Sequence, residues 1–255
     1  MGQIFFEESS LRHARPDAAA HQPGPPTRGR GGARSGTAAT LDAMTSVRDI
    51  VGSRHESAAR LLLPIIDDSG RAMPWSTLIS SARLTAKTSW ADIRHLVGED
   101  IDPPYACLNP ETTELLTHAL AQEQDPLCWF ALWRGYAEEP QEQPPIPALP
   151  PDLLDLLRTA IEPLTVPDAR PTHATLIRKP LSWLNRHARQ QGLRSSSPLL
   201  IYATNGTFTA ACPIYHDSFY IGGSRGLIEQ LIASSAEAFE IDPDSPIPGS
   251  GEILD

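Results

Sequence analysis

The residues best placed for chemistry stand together at Gly222-Gly223-Ser224-Arg225, between the apolar run Phe219-Tyr220-Ile221 and the helix-spaced Leu227-Ile228-Glu229-Gln230-Leu231-Ile232. A strand that breaks into glycines and reopens as a helix can leave backbone N–H groups at the helix N-terminus, the geometry that holds an anion. Arg225 would add a guanidinium. Gly222, Gly223, Ser224 and Arg225 are thus the candidate anion-binding residues, suited to a phosphorylated small molecule. The plainer reading makes Ser224 a helix N-cap and the glycines the means of turning. The segment has neither the Gly-x-x-x-x-Gly-Lys nor the Gly-x-Gly-x-x-Gly spacing, and no lysine lies near it.

Other constellations are weaker. Gly222 to Gly226 match the Gly-x-Ser-x-Gly elbow formally, with His216 and Asp217 upstream, but the triad of that fold needs a later histidine and His216 is the last. No catalytic residue is assigned. The eight histidines are scattered, His55-Glu56 and His216-Asp217 are isolated pairs, and neither His-x-x-x-His nor Cys-x-x-Cys occurs. No metal and no cofactor are expected. Trp129, Phe130 and Trp133 read as core, since a base-stacking platform needs basic neighbours.

Charge and cysteine usage narrow the partners. The formal net charge is −10, whereas a nucleic-acid binder needs clustered basic surface; an acidic body also repels anionic membranes. All of the 21 basic residues except Lys87 and Lys179 are arginine, which with abundant Ala, Pro and Gly suggests GC-rich coding DNA. Three cysteines (Cys107, Cys128, Cys212) form an odd, sparse set, and no apolar run reaches the ~18 residues that span a bilayer. The N-terminus lacks a secretory pattern. The expected location is the cytoplasm, with reduced thiols.

The elements that must position these residues begin after residues 1–43, an Ala/Gly/Pro/Arg-rich arm with too few large apolar side chains to offset its chain entropy. We expect disorder there, and Met44 is a second candidate start for translation. Residues 44–241 are expected to form one domain. Val47–Ile66 reads as one helix or two interrupted at Gly52, with Thr45 or Ser46 as cap. Trp75, Leu78, Ile79 and Ala82 follow Pro74 on one helical face, and Ser89–Leu96 is a further short helix. Asn109 caps the clearest helix, with Pro110 at its first position. Cys128–Trp133 reads as a buried strand. Residues 138–151 hold six prolines and three glutamates and read as a linker. Asp152–Ile161 is a short helix, His173–Arg178 a strand and Leu181–Ala188 a helix. Asn205-Gly206 joins two strands in a hairpin, and Ile214–Ile221 is another strand. Residues 242–255 read as a flexible acidic tail.

The blocks Pro103-Pro104, Leu108-Asn109-Pro110, Cys128-Trp129-Phe130-Ala131-Leu132-Trp133-Arg134-Gly135-Tyr136 and Tyr220-Ile221-Gly222-Gly223-Ser224 resemble an uncharacterised family of actinobacterial proteins. Its members carry a Cys-Trp-Phe-x-Leu-Trp-x-Gly block followed by a Tyr-Val-Gly-Gly-Ser block. The resemblance spans roughly Ala58 to Ile241. This chain departs from it at Ile201–Phe208, where the family has Trp-Trp-Pro-x-Asp-Arg-Ala-Trp. The resemblance implies fold and lineage, and no known activity.

The fold class expected is α+β, with a helical N-terminal half and, in the C-terminal half, a small mainly antiparallel sheet with flanking helices on one side. The function expected is that of a non-enzymatic cytoplasmic interaction or accessory protein, possible forms including the immunity type, with a protein partner and with neither nucleic acid nor membrane as target. The alternative is an enzyme or sensor for a phosphorylated small molecule at Gly222–Arg225.

Overall fold

Ser46 opens the first element by accepting a hydrogen bond from the Asp49 N–H while the Asp49 carboxylate takes the Ser46 N–H, a reciprocal capping box on helix α1 (Val47–Val51). The computed structural model describes residues 45–66, 71–79, 83–97, 108–121, 125–136, 149–161, 172–191, 198–213 and 216–247, within the compact unit Ala43–Asp255. The expected disordered arm, Met44, Cys107, Pro103-Pro104, the bulk of the proline-rich connection and the last eight residues lie outside these.

Gly52, at φ 97°, ends α1 after five residues. The chain then runs into strand β1 (Ser57–Leu62), so of the one helix, or two interrupted at Gly52, expected over Val47–Ile66, the break at Gly52 and a short first helix are present and the remainder is corrected to strand. Ala58-Ala59-Arg60-Leu61-Leu62 has helix-forming residues, but it lies between two further strands, Ser218–Gly223 and Ala238–Ile241, and is buried on both faces. Tertiary burial overrides propensity there. A ribbon of β2 (Ile65–Ile66) and β3 (Ala72–Met73), a 3-10 turn at Trp75–Thr77 in place of the longer helix expected after Pro74, and α2 (Trp90–Val97) follow. Asn109 caps α3 (Pro110–Ala121) through its side-chain oxygen on the Thr112 N–H at 2.7 Å. Then come β4 (Leu127–Tyr136), α4 (Pro151–Ile161), β5 (Thr172–Pro180), α5 (Trp183–Gln191), β6 (Pro198–Ala203), β7 (Phe208–Ala211), β8 (Ser218–Gly223), α6 (Arg225–Ser234) and β9 (Ala238–Ile241).

Seven strands form one antiparallel sheet in the order β5-β4-β6-β7-β8-β1-β9. The class is α+β. The helices, however, are spread along the chain, and β1 and β4 carry the N-terminal half into the sheet, so that half is not mainly helical and the sheet is not confined to the C-terminal half. Nor do the helices sit on one side. Leu116, Ala119 and Leu120 of α3, Leu184 of α5 and Leu227, Ile228 and Leu231 of α6 pack on the face bearing Phe130, Ile201, Phe219 and Ile221. Val47, Ile50 and Val51 of α1 and Leu153 and Leu156 of α4 pack on the opposite face, against Ala58, Leu200, Tyr202, Ala211 and Tyr220. A third cluster of Leu62, Ile65, Trp75, Leu84 and Ile93 gathers near the C-terminal end of β1.

The strand period of two sorts the aromatic run of β4. Phe130 is fully buried, whereas Trp129 points to the α4 face and stays half-buried, so it is not the core residue expected. The hairpin at Asn205-Gly206 forms with four residues between its strands, Gly206 at φ 79°. Residues 242–247, expected to belong to the loose tail, are docked. Val47 and Arg48 donate backbone hydrogen bonds to Ser245 and Pro243, Ile247 donates to Thr45, Arg48 pairs with Asp244, and Ile247 is buried. The first turn of α1 needs acceptors for its N–H groups, and this segment supplies them.

Candidate functional site

The glycine segment is built differently from the turn its sequence suggests. Gly222 and Gly223 are the last residues of β8, paired with Ala58 and Ser57 on one side and with Thr209 and Phe208 on the other, so they belong to the sheet ladder. Their lack of a side chain serves close packing: a Cβ at Gly222 would meet Val51 and His55 at 2.8 Å, and one at Gly223 would meet Leu227 at 2.5 Å. Ser224 caps α6, its hydroxyl accepting from the Leu227 N–H at 3.4 Å. The Arg225 N–H donates to the Glu56 carboxylate at 3.0 Å, and the Arg225 guanidinium lies on Glu229 one turn on. The N-terminus of α6 holds an anion, and that anion is the protein's own.

Glu56 belongs to the 52–56 loop, whose neighbours build a larger polar cluster at the same end of the sheet. Arg54 Nη1 donates to Asp152 Oδ2 at 3.0 Å and to the Tyr202 hydroxyl at 2.8 Å; the Tyr202 hydroxyl donates in turn to Asp152 Oδ2 at 2.6 Å. The guanidinium also stacks over the Tyr202 ring, 4.4 Å from its centroid. His55 Nε2 lies 3.0 Å from Thr209 Oγ1 and 3.4 Å from Arg54 Nε. Burial, assisted by the Arg54 charge, lowers the His55 pKa to about 4, so the ring is neutral at pH 7. Thr209 is fully buried and therefore cannot reach a substrate, although it stands at nucleophile-to-base distance from His55. Burial, then the hydrogen bond to Asp152, raises the Tyr202 pKa. The cluster ties α4, the 52–56 loop and the β6–β7 hairpin together.

A second cluster lies toward the opposite end of β1 on the same face. Arg60, fully buried, donates from Nε to Ser218 Oγ, from Nη1 to the Ala86 carbonyl and from Nη2 to Asp217 Oδ1, each at 2.8 Å. Asp217 Oδ2 accepts the Trp90 N–H that opens α2, at 3.1 Å. Neighbouring His216 is buried, and that burial lowers its pKa to about 4, with Asp217 opposing and Arg60 reinforcing the shift. The Tyr220 ring meets His216 edge-on at 6.0 Å, and its buried hydroxyl has no hydrogen-bond partner among the described residues. His216, Asp217 and Ser224, the trio of the elbow reading, are not brought together: His216 and Asp217 precede β8 while Ser224 follows it. Cys128 is buried, which pushes its thiol up to about 12 and leaves it unreactive.

No local signal in the chain marks Arg54, Asp152, Tyr202 or Thr209, because the partners that tie them to other elements lie 50 to 155 residues away. The one visible anomaly is Arg60, a charge inside an apolar run. Among the described residues, no group of His, Cys, Asp and Glu could hold a metal ion, and no helix is long and apolar enough to cross a membrane. The chain matches no family model, no characterised protein and no solved structure.

Proposed function

We propose that this chain is a non-enzymatic interaction or accessory protein of the cytoplasm, of the immunity type, whose target is a protein. One observation carries this reading. β5 forms an end of the seven-stranded sheet, with eight of its nine residues paired with β4 and with no strand on its other side among the described residues. Such an edge presents a row of backbone donors and acceptors that a second chain can complete. The polar groups with chemical potential are, by contrast, engaged internally: Arg60 with Asp217, Arg54 with Asp152 and Tyr202, and the first N–H of α6 with Glu56. The test is recovery of the full chain from the cells that make it, with any bound protein, followed by hydrogen exchange on the purified complex. A stoichiometric protein partner is expected. Recovery of the chain alone together with turnover of a small molecule would overturn the reading.

A second reading keeps a phosphorylated small molecule at Ser224-Arg225, and the Glu56 contact is what favours it. A helix N-terminus that holds a carboxylate has the geometry for a phosphate, but the ligand must displace Glu56. Thermal-shift titration of the wild type and of Glu56→Ala with phosphate and nucleotides checks it: the variant should respond at lower concentration. No rise in either protein would remove this reading for those ligands.

A further inference from the structure

We infer that the Arg60–Asp217 joint is an acid-sensitive latch with His216 as its trigger, and that protonation frees residues 83–97 from the sheet while the rest of the fold stays closed. Among the described residues, the polar ties of 83–97 to the sheet are two, and both pass through this joint. The Ala86 carbonyl accepts from Arg60 Nη1, and the Trp90 N–H donates to Asp217 Oδ2. The other side-chain hydrogen bonds of this stretch are local, within 85–92, so they travel with it. Its remaining attachment is apolar, through Leu84, Ile93 and the edge-on contact of Trp90 with Trp75.

His216 is 3% exposed and immediately precedes Asp217, and its described surroundings hold no carboxylate ready to take a second positive charge. From β8 the Tyr220 ring meets it edge-on, and from the end of β7 Cys212 Sγ donates to its carbonyl at 3.9 Å. From β1 the charge acting on it is Arg60, itself a cation. On 83–97 the titratable side chains Arg83, Lys87, Asp92, Arg94 and His95 are all exposed. The carboxylate that acts on it, Asp217, is already shared among Arg60, Ser218 and the Trp90 N–H. A proton on His216 therefore sets a second buried cation beside Arg60 with one carboxylate between them. The ring is relieved by reaching water or by drawing on Asp217, and either movement loosens the bonds to Trp90 and Ala86. Burial sets the working range, since the ring is neutral at pH 7 and takes its proton toward pH 4. Opening uncovers Leu62, Ile65 and Trp75, the partners of Leu84 and Ile93 in the third cluster, so acid turns a piece of core into apolar surface.

Hydrogen exchange of the full chain at about pH 7 and about pH 4.5, corrected for the intrinsic effect of pH on amide exchange, tests this peptide by peptide. Peptides from 83–97 should lose protection about ten-fold or more in acid. A group whose pKa moves from about 4 to 6.5 on opening sets a ceiling of roughly 60-fold between those two conditions. Peptides from β4 and β6 should keep their protection. His216→Gln should remove the response of 83–97, whereas His55→Gln, at the other end of the face, should respond as the wild type does. Should His216→Gln not fold, the wild type decides by itself, because the contrast between 83–97 and β4 or β6 at two pH values needs no variant. A uniform loss across all peptides, full protection of 83–97 in acid, or an undiminished acid response in a folded His216→Gln overturns the inference.

Discussion

Two arginine–aspartate pairs stand on the same face of the sheet, one near each end, and they differ chiefly in water. Arg60 is fully buried and its partner Asp217 is 11% exposed, whereas Arg54 and Asp152 are 31% and 49% exposed. Each joins sheet to covering structure: Asp217 takes the first N–H of α2, and Asp152 sits in the first turn of α4. The buried pair has its hydrogen bonds completed by Ser218, the Ala86 carbonyl and the Trp90 N–H, as a charge removed from water requires. The exposed pair loses less on going unpaired, since solvent screens it and can rehydrate either partner. The same two residue types thus make an obligatory joint at one end and a replaceable one at the other.

The largest expected effect is at the buried joint. Asp217→Ala leaves Arg60 charged and unpaired, and should cost on the order of 3–5 kcal/mol in urea unfolding. If the pair matters only because its charges are buried, Arg60→Met with Asp217→Asn should regain at least half of that loss. A double variant as unstable as the single one would break the argument.

Acid should act at both ends. His216 and His55 both have pKa values lowered to about 4 by burial, from an ordinary value of 6.5. The unfolded chain therefore binds more protons than the folded one between these values. Stability contributed by the neutral rings is complete above pH 6.5 and falls as the pH drops toward 4, by at most about 1.4 kcal/mol per pH unit for each ring. The His55 share should be the smaller, because its end of the face is more exposed and screened. Unfolding free energies measured from pH 7 to 4.5 should fall, and His216→Gln should flatten the curve more than His55→Gln.

At the glycine segment Ser224→Ala should cost about 0.5–2 kcal/mol as the loss of an N-cap, and Arg225→Ala should do little because both it and Glu229 are mostly exposed. Of the two joints, the smaller effect belongs to the exposed one. Asp152→Asn should cost no more than about 1 kcal/mol, and 0.5 M salt should erase most of the difference from wild type. A loss equal to that of Asp217→Ala would mean the two ends are equivalent after all.

Elements with a chemical marker at their boundary are legible in the sequence itself. Asn109-Pro110 announces α3, Ser46 can cap α1 and Ser224 can cap α6, because caps satisfy donors within three residues along the chain. Asn205-Gly206 announces the β6–β7 hairpin for a similarly local reason. The elements that fold against expectation lack such markers. Ala58–Leu62 carries apolar residues that suit a helix as well as a strand buried on both faces, and only pairing with β8 and β9 decides between them. Asp242–Ile247 resembles a tail because its composition is polar and turn-forming, while its acceptors serve a helix almost 200 residues away.

The amino-acid sequence by itself determined the acidic balance, the scatter of its histidines and the positions of caps and turns, since these depend on composition or on neighbours along the chain. The tertiary structure alone decided that Gly222 and Gly223 lie in a strand, that Glu56 occupies the N-terminus of α6, that Arg60 is buried with Asp217, and that β5 is left at an edge. Those outcomes come from contacts between residues far apart in sequence, where burial and strand order assign each group its partner, and neither can be read from a local window.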